Sequence, residues 1–449
     1  MKKSNVLIFV LSLLLMIGML PATAFADAPP ALWVNGVDIT AAPADTVACG
    51  AGTAVYDPTT ETLTLNNATI DTGYSGNGIA AGDYFNDREL TVVLVGSNVI
   101  APAAATEMDR GIYTFGKLAI SGEGSIAITT KTLDTDYTCG IYAWGGCSIS
   151  DATISMTDES PVDHGSDGID VNMVGSYFLC KDATLQMSGY SIGINVPTGH
   201  INIGNSGIEI IGATRGVNGG TEINDFQIKN SEIDCSVSGE NAVAVANGCD
   251  ILIDHSKLTL SSTSSNAIFS DAALSIKNGS EIDATGYYPA LYGTSDVTIE
   301  NSKVKAVSTS SNAIFSNAVS IENSDVEAFS TNDIGIFSKG SISITGGTVH
   351  AKGGTNFAAI AARVVKSGEE TATSKISLGD MIEENSGKTA VSDWFLHSVS
   401  GETRSWTSFI AAADSALNVD VNGRMTNALN EISLTAFIPV TEISGGPVT

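Results

Sequence analysis

Short runs of alternating apolar and polar residues, separated by Asn, Asp, Gly and Ser, fill the chain from residue 57 to residue 379. Alternation with period two marks a strand with one buried face. No run carries the 3.6-residue spacing of an amphipathic helix. The runs are themselves periodic: STSSNAIFS stands at 262–270 and again at 308–316, with a degenerate copy between them, so the basic unit is about 23 residues. One phrase aligns the units, as Leu274-Ser-Ile276-Lys-Asn278, Val297-Thr-Ile299-Glu-Asn301 and Val319-Ser-Ile321-Glu-Asn323.

A second landmark is an aliphatic residue that follows Gly or Ala. It recurs at Ile79, Ile112, Ile141, Ile169, Ile194, Val217, Val243, Ile268, Leu291, Ile314, Ile336 and Ile360. The residue that opens the middle turn also recurs, as Asn67, Asp151, Asp182, Asn205, Asn230, His255, Asn278, Asn301 and Asn323, with Gly at 96, 122, 346 and 379. Asn and Gly are the residues that most cheaply take left-handed dihedrals. Three short strands per 22 to 26 residues without a helix predict an all-β fold, a right-handed parallel β-helix of about 13 coils. Leucine-rich repeats need an LxxLxL phrase, and propeller blades need about 40 residues. The turn asparagines are expected to hydrogen-bond along the axis as an internal ladder.

Residues 1–26 (MKKSNVLIFVLSLLLMIGMLPATAFA) combine a basic start, an apolar run and an Ala-Phe-Ala cleavage site, and read as a secretory signal. Residues 27–56 are expected to cap the first coil, 57–379 to form the coils, 380–438 to close the other end with Trp394, Phe395, Trp406 and Phe409, and 439–449 to be a linker or the start of another module. Removing Lys2 and Lys3 with the signal takes the net charge from −28 to −30. Such a field excludes nucleic acid and anionic membrane as partners. The chain is expected to be a secreted or cell-surface monomer that does not insert in a membrane once the signal is gone. Six cysteines permit disulfides in that compartment, but their spacing does not demand them, and no CxxC motif points to zinc.

The stretches LWVNGVDIT (32–40) and AVYDPTTETLTLNNATI (54–70), with the repeated Gly-Ile and Ile-x-Asn-Ser phrases, resemble secreted parallel β-helix proteins of Gram-positive bacteria described as carbohydrate-binding, relatives in fold of the pectate lyases. The resemblance covers roughly residues 31–440, and its matching letters are scaffold letters. It implies binding of cell-wall or pectic polysaccharide, with calcium, at the surface. The tail VTEISGGPVT resembles the first strand of a bacterial Ig-like repeat.

Two outward-facing features could carry chemistry. The residue after the inward aliphatic is Phe269, Tyr292, Phe315 and Phe337 in successive coils, and Tyr113 and Tyr142 earlier, with Tyr287 and Tyr288 nearby. Rings at coil spacing either offer a stacking platform for pyranoses or form an aromatic stack covered by loops. The other feature is a run of acidic loops, with Glu107 and Asp109, then Asp134 and Asp136, then Asp158, Glu159, Asp163 and Asp167, and Asp170 beyond. Asp109, Asp134, Asp136, Asp163 and Asp167 are the candidate calcium ligands, since calcium takes six to eight oxygens; a solvated acidic edge is the other reading. A lyase would need a base to abstract the proton α to a uronate; the nearby options are Arg110, Lys131 and His164, and no catalytic residue is assigned. Non-catalytic polysaccharide binding is the favoured function, against a calcium-dependent lyase and a plain adhesin or spacer.

Overall fold

The computed structural model describes residues 31–436, apart from 84–86, 104–105, 133–136, 161–164, 246–247, 356, 368–375, 378–380, 384–387, 390, 401–402 and 412–430. It is a parallel β-helix of about 11 turns. Every coil contributes one strand to each of three parallel sheets. Sheet A begins with Asn77–Ala81, Arg110–Thr114, Cys139–Ala143 and Asp167–Val171. Sheet B begins with Thr62–Asn66, Leu90–Val95 and Lys117–Ser121, and sheet C with Thr69–Ile70, Ser97–Ile100 and Ser125–Thr130.

The aliphatic landmark of the sequence is the core column of sheet A. Ile79, Ile112, Ile141, Ile169, Ile194, Val217, Val243, Ile268, Leu291, Ile314, Ile336 and Ile360 pair in register from one coil to the next. All twelve are buried. The count of about 13 coils is corrected to about 11 turns: Asn67 belongs to a partial coil that precedes the first sheet A strand, and Gly379 lies outside the described residues.

The turn between sheets B and C works as its residues imply. Asn67, Asp151, Asp182, Asn205, Asn230, His255, Asn278, Asn301 and Asn323 have φ between 47° and 55°, and Gly96, Gly122 and Gly346 are also left-handed. The asparagines themselves, however, are solvent-exposed and form no internal ladder. Asn205 Nδ2 reaches the previous turn at Asp182 Oδ1 (3.1 Å) and Asn67 Oδ1 accepts from the Ser97 N–H of the next coil (3.2 Å), whereas Asn301 Nδ2 reaches only Glu300 beside it (3.4 Å).

The ladder is made by the next residue instead. The backbone N–H groups of Ala183, Ser206, Ser231 and Ser256 donate to the Oγ of Ser206, Ser231, Ser256 and Ser280 of the following coil, each at 3.2 Å. Ser302 and Ser324 repeat the contact at 3.1 Å. The hydroxyls of Ser206, Ser231, Ser256, Ser302 and Ser324 donate in turn to the carbonyl two residues back. Buried donors and acceptors at the corner are thereby satisfied without water. The nine-letter repeat is structural in the same way: Ser262 and Ser308 accept from the backbone of Ser265 and Ser311, and Asn266 and Asn312 donate to carbonyls of the next coil.

Both ends of the solenoid are blunted by antiparallel strands, which occupy edges that would otherwise template further pairing. Leu32–Val34 lies against Asn77–Ala81, and Gly52–Asp57 against Thr62–Asn66. At the far end Thr403–Ala411 pairs with Ile360–Ser367, and Glu431–Ala436 with Ile342–Lys352. The six cysteines are unpaired and buried, Cys49 in the N-terminal cap and the other five along the coils, behaving as small hydrophobes.

Asn301→Val forces a β-branched residue into φ 47° and is expected to destabilise the fold by about 1–3 kcal/mol, whereas Asn301→Gly is nearly neutral. Ser231→Ala leaves the Ser206 N–H without an acceptor and is expected to cost about 1–3 kcal/mol. Urea unfolding of the three variants checks both corner assignments.

Candidate functional site

The in-register stacking that builds the core also lines up outward residues. In sheet A the position after the core aliphatic forms one unbroken column: Ala80, Tyr113, Tyr142, Asp170, Asn195, Asn218, Ala244, Phe269, Tyr292, Phe315, Phe337 and Ala361. Its chemistry changes from tyrosine to acid and amide, and then to a second aromatic run.

The second run brings together the rings that the sequence grouped. Phe269 meets Tyr292 edge-on at 5.3 Å, Tyr292 lies 5.0 Å from Phe315, and Phe315 and Phe337 stack at 5.6 Å with planes 4° apart. Rings stacked along the axis cover one another's faces, so this strip presents mainly edges outward. Lys339 places its ammonium 5.1 Å from the Phe315 ring. Tyr287 and Tyr288 are exposed and contact each other edge-on, apart from the column.

The tyrosine end stacks in the same way and also lies against a cation. Tyr113 and Tyr142 stack at 5.2 Å, and the Arg110 guanidinium sits 5.4 and 5.8 Å from their centroids. Phe115 and Trp144, just past the ends of the same two strands, stack at 5.1 Å and extend the cluster. The sequence signal for them was the i, i+2 repetition in adjacent coils, and it was missed.

Beside these rings opens a pocket of about 470 Å³ with Asp167 and Asp170 at its floor. They open and nearly close the strand Asp167–Val171, and they are only 2% and 3% exposed. The Tyr137 hydroxyl donates to Asp167 Oδ2 (2.8 Å) and to Asp170 Oδ2 (3.0 Å), so one phenol lies between two carboxyls. Asn195 Nδ2 donates to Asp167 Oδ2 at 2.9 Å, and Asn218 Nδ2 holds Asn195 Oδ1 at 2.9 Å. Asp167 Oδ1 and Arg110 Nε are buried without a hydrogen-bond partner.

Burial, and then the Asp170 charge, push the Asp167 carboxyl up to about 7, against hydrogen bonds from Tyr137 and Asn195 and the positive charge of Arg215. Burial also raises Asp170, opposed by Tyr137, Asn172, Arg110 and Asn195. The Tyr137 hydroxyl is raised chiefly by burial and remains a donor. An unpaired buried acid is expensive to keep, and such groups concentrate at functional sites.

Of the acidic residues singled out in the sequence, Asp167 and Asp170 line this pocket among the described residues. Asp134, Asp136, Asp163 and His164 lie outside the described residues. Asp158 is consumed locally, accepting from the Ser160 N–H and hydroxyl and from Thr138 Oγ1. Asp109 precedes the strand of Arg110, and Asp167 stands inside a strand rather than in a loop. Among the described residues no three His, Cys, Asp or Glu side chains gather as metal ligands. Lys131 forms an antiparallel bridge with Met108, and Arg110 is the suggested base that lines the pocket among the described residues.

A wider groove of about 750 Å³ lies along sheet C. Its rungs alternate in sign, as in Lys257, Glu281, Lys303 and Asp325, and Lys305 pairs with Asp283 at 3.0 Å, so opposite charges already face one another. The smaller pocket holds the unbalanced chemistry. No family profile matches the chain, and no curated protein and no solved structure is significantly similar to it.

A carboxyl raised from about 3.9 to about 7 binds its proton more tightly in the folded state, so the stability it lends is present below pH 4 and is lost as pH rises through 7. Asp167→Asn is therefore expected to stabilise the protein by roughly 2–4 kcal/mol at pH 8 and to change little at pH 4. Urea titrations at both pH values measure the difference; equal effects would show that Asp167 titrates normally.

Proposed function

We propose that this protein is a secreted, cell-surface polysaccharide-binding solenoid that holds a glycan chain along the outward column of sheet A. The observation that carries the reading is the pocket at Asp170, where tyrosine rings, carboxyls and amides stand side by side in consecutive coils. Sugars are recognised by that combination: an apolar ring for the pyranose face, and fixed acceptors and donors for its hydroxyls. Coil spacing near 4.8 Å places successive chemical groups at about the repeat of an extended glycan. The leader-like residues 1–26 and the resemblance to Gram-positive carbohydrate-binding β-helices support the location, with a following Ig-like module as a further part of the proposal.

Binding to insoluble cell-wall polysaccharide, scored by co-sedimentation, tests the reading. Tyr142→Ala and Asn195→Ala are each expected to weaken retention by roughly 5- to 10-fold, the size of one lost stacking contact or hydrogen bond. Phe315→Ala is expected to weaken it less, because its faces are covered by Tyr292 and Phe337. Retention unchanged in all three would favour a spacer that is indifferent to its outward residues.

Calcium is proposed to bind at the acidic loops of Asp109, Asp134, Asp136 and Asp163. Millimolar calcium should then raise the melting temperature, by binding only the folded state. Asp163→Asn should abolish that rise, and a melting point unmoved by calcium or chelator would mean that the loops are simply solvated.

A further inference from the structure

The pocket has a charge problem that a neutral sugar would not solve. Among the described residues neither Asp167 nor Asp170 enters an ion pair. Two arginines are within reach along the column that contains Asp167, which runs Arg110, Cys139, Asp167, Ile192, Arg215. Each is two coils away and engaged elsewhere. Arg215 pairs with Glu240, and Arg110 lies against the Tyr113 and Tyr142 rings. The floor is thus left with two carboxyls, one of whose oxygens, Asp167 Oδ1, is buried and unpartnered.

An ammonium group answers both needs, since it brings a positive charge and three donors. The walls suit it as well: tyrosine rings attract cations, and Arg110 already uses two of them in that way. The net charge of −28 over the whole chain draws cationic polymers in and repels uronates. We propose that this pocket takes an ammonium-bearing amino-sugar unit of a polysaccharide, its nitrogen held between Asp170 and Asp167 and its ring against the tyrosine wall. The proposal rests on the glycan-binding reading and narrows its substrate class to cationic amino sugars.

A proton signature separates this ligand from others. Among the described residues the groups that face Asp167 are Asp170, Tyr137, Asn195, the Cys139 thiol, which burial keeps neutral, and the more distant Arg110 and Arg215. Below pH 7 Asp167 is largely protonated. An arriving ammonium favours the carboxylate, so binding expels a proton; a hydroxyl ligand has no such preference.

Isothermal titration at pH 6, in two buffers of different ionisation enthalpy, reads that proton directly. The probes are tetramers of glucosamine, N-acetylglucosamine and galacturonate. The glucosamine tetramer is expected to bind on the order of tenfold or more tightly than the acetylated one, releasing about one proton, with galacturonate weakest. Asp170→Asn is expected to cost roughly 10- to 100-fold in affinity. Asp167→Asn, which should fold at least as stably as the parent, is expected to abolish proton release.

Equal affinity for the acetylated tetramer, or binding without proton release, would overturn the amino-sugar proposal and leave the glycan-binding reading standing. Failure of all three sugars would sink both. Tight binding of polylysine with none of the glucosamine tetramer would assign the pocket to a peptide amine, and would overturn the proposal as well.

Discussion

Everything in this molecule depends on the register of parallel backbone hydrogen bonds between one coil and the next. Because the pairing holds across all three sheets, a residue's place in its coil decides both what it buries against and which outward neighbours it has. The left-handed corner between sheets B and C makes this possible. It turns the chain in a single residue, and the serine after it satisfies the backbone of the adjacent coil. Register then converts a weak one-dimensional repeat into continuous columns of one chemistry.

That conversion explains why the pocket is informative. Along the outward column of sheet A, aromatic residues pack well against their own kind, so a run of rings stabilises itself and needs no ligand to account for it. Asp170, Asn195 and Asn218 break the run, and they break it beside Asp167, in a strand whose five residues are all buried. Two shielded carboxyls around one phenol are a costly arrangement for a scaffold. Keeping Asp167 buried lowers stability as pH rises through 7, a cost that supports the binding role proposed above.

Much of the fold was legible in the sequence, for a physical reason. Gly, Asn and Asp at one position report a dihedral requirement, and the aliphatic after Gly or Ala reports an inward strand position; both are local. The structure accordingly places Asn67 through Asn323 in left-handed turns and Ile79 through Ile360 in one core column. The serine ladder was written in the Ile-x-Asn-Ser phrase, yet it was overlooked in favour of the asparagines, because only the fold shows which of two adjacent polar residues points inward. The pocket was harder still. Tyr137, Asp167, Asp170 and Asn195 come from three coils, and reading Asp167 as a loop acid hid its position at the start of a buried strand. The ring column was found by its period, but a period does not reveal that stacked rings hide their faces.

Among the described residues Asp167 sits at the floor of the pocket with no ion-pair partner. Carboxyl-detected carbon NMR of the aspartate-labelled protein follows that one group through pH, first free and then saturated with glucosamine oligomer. Asp167 is expected to titrate near 7 when free and clearly lower when the ligand is bound. Titration in the ordinary aspartate range in both states, with no response to the ligand, would contradict it.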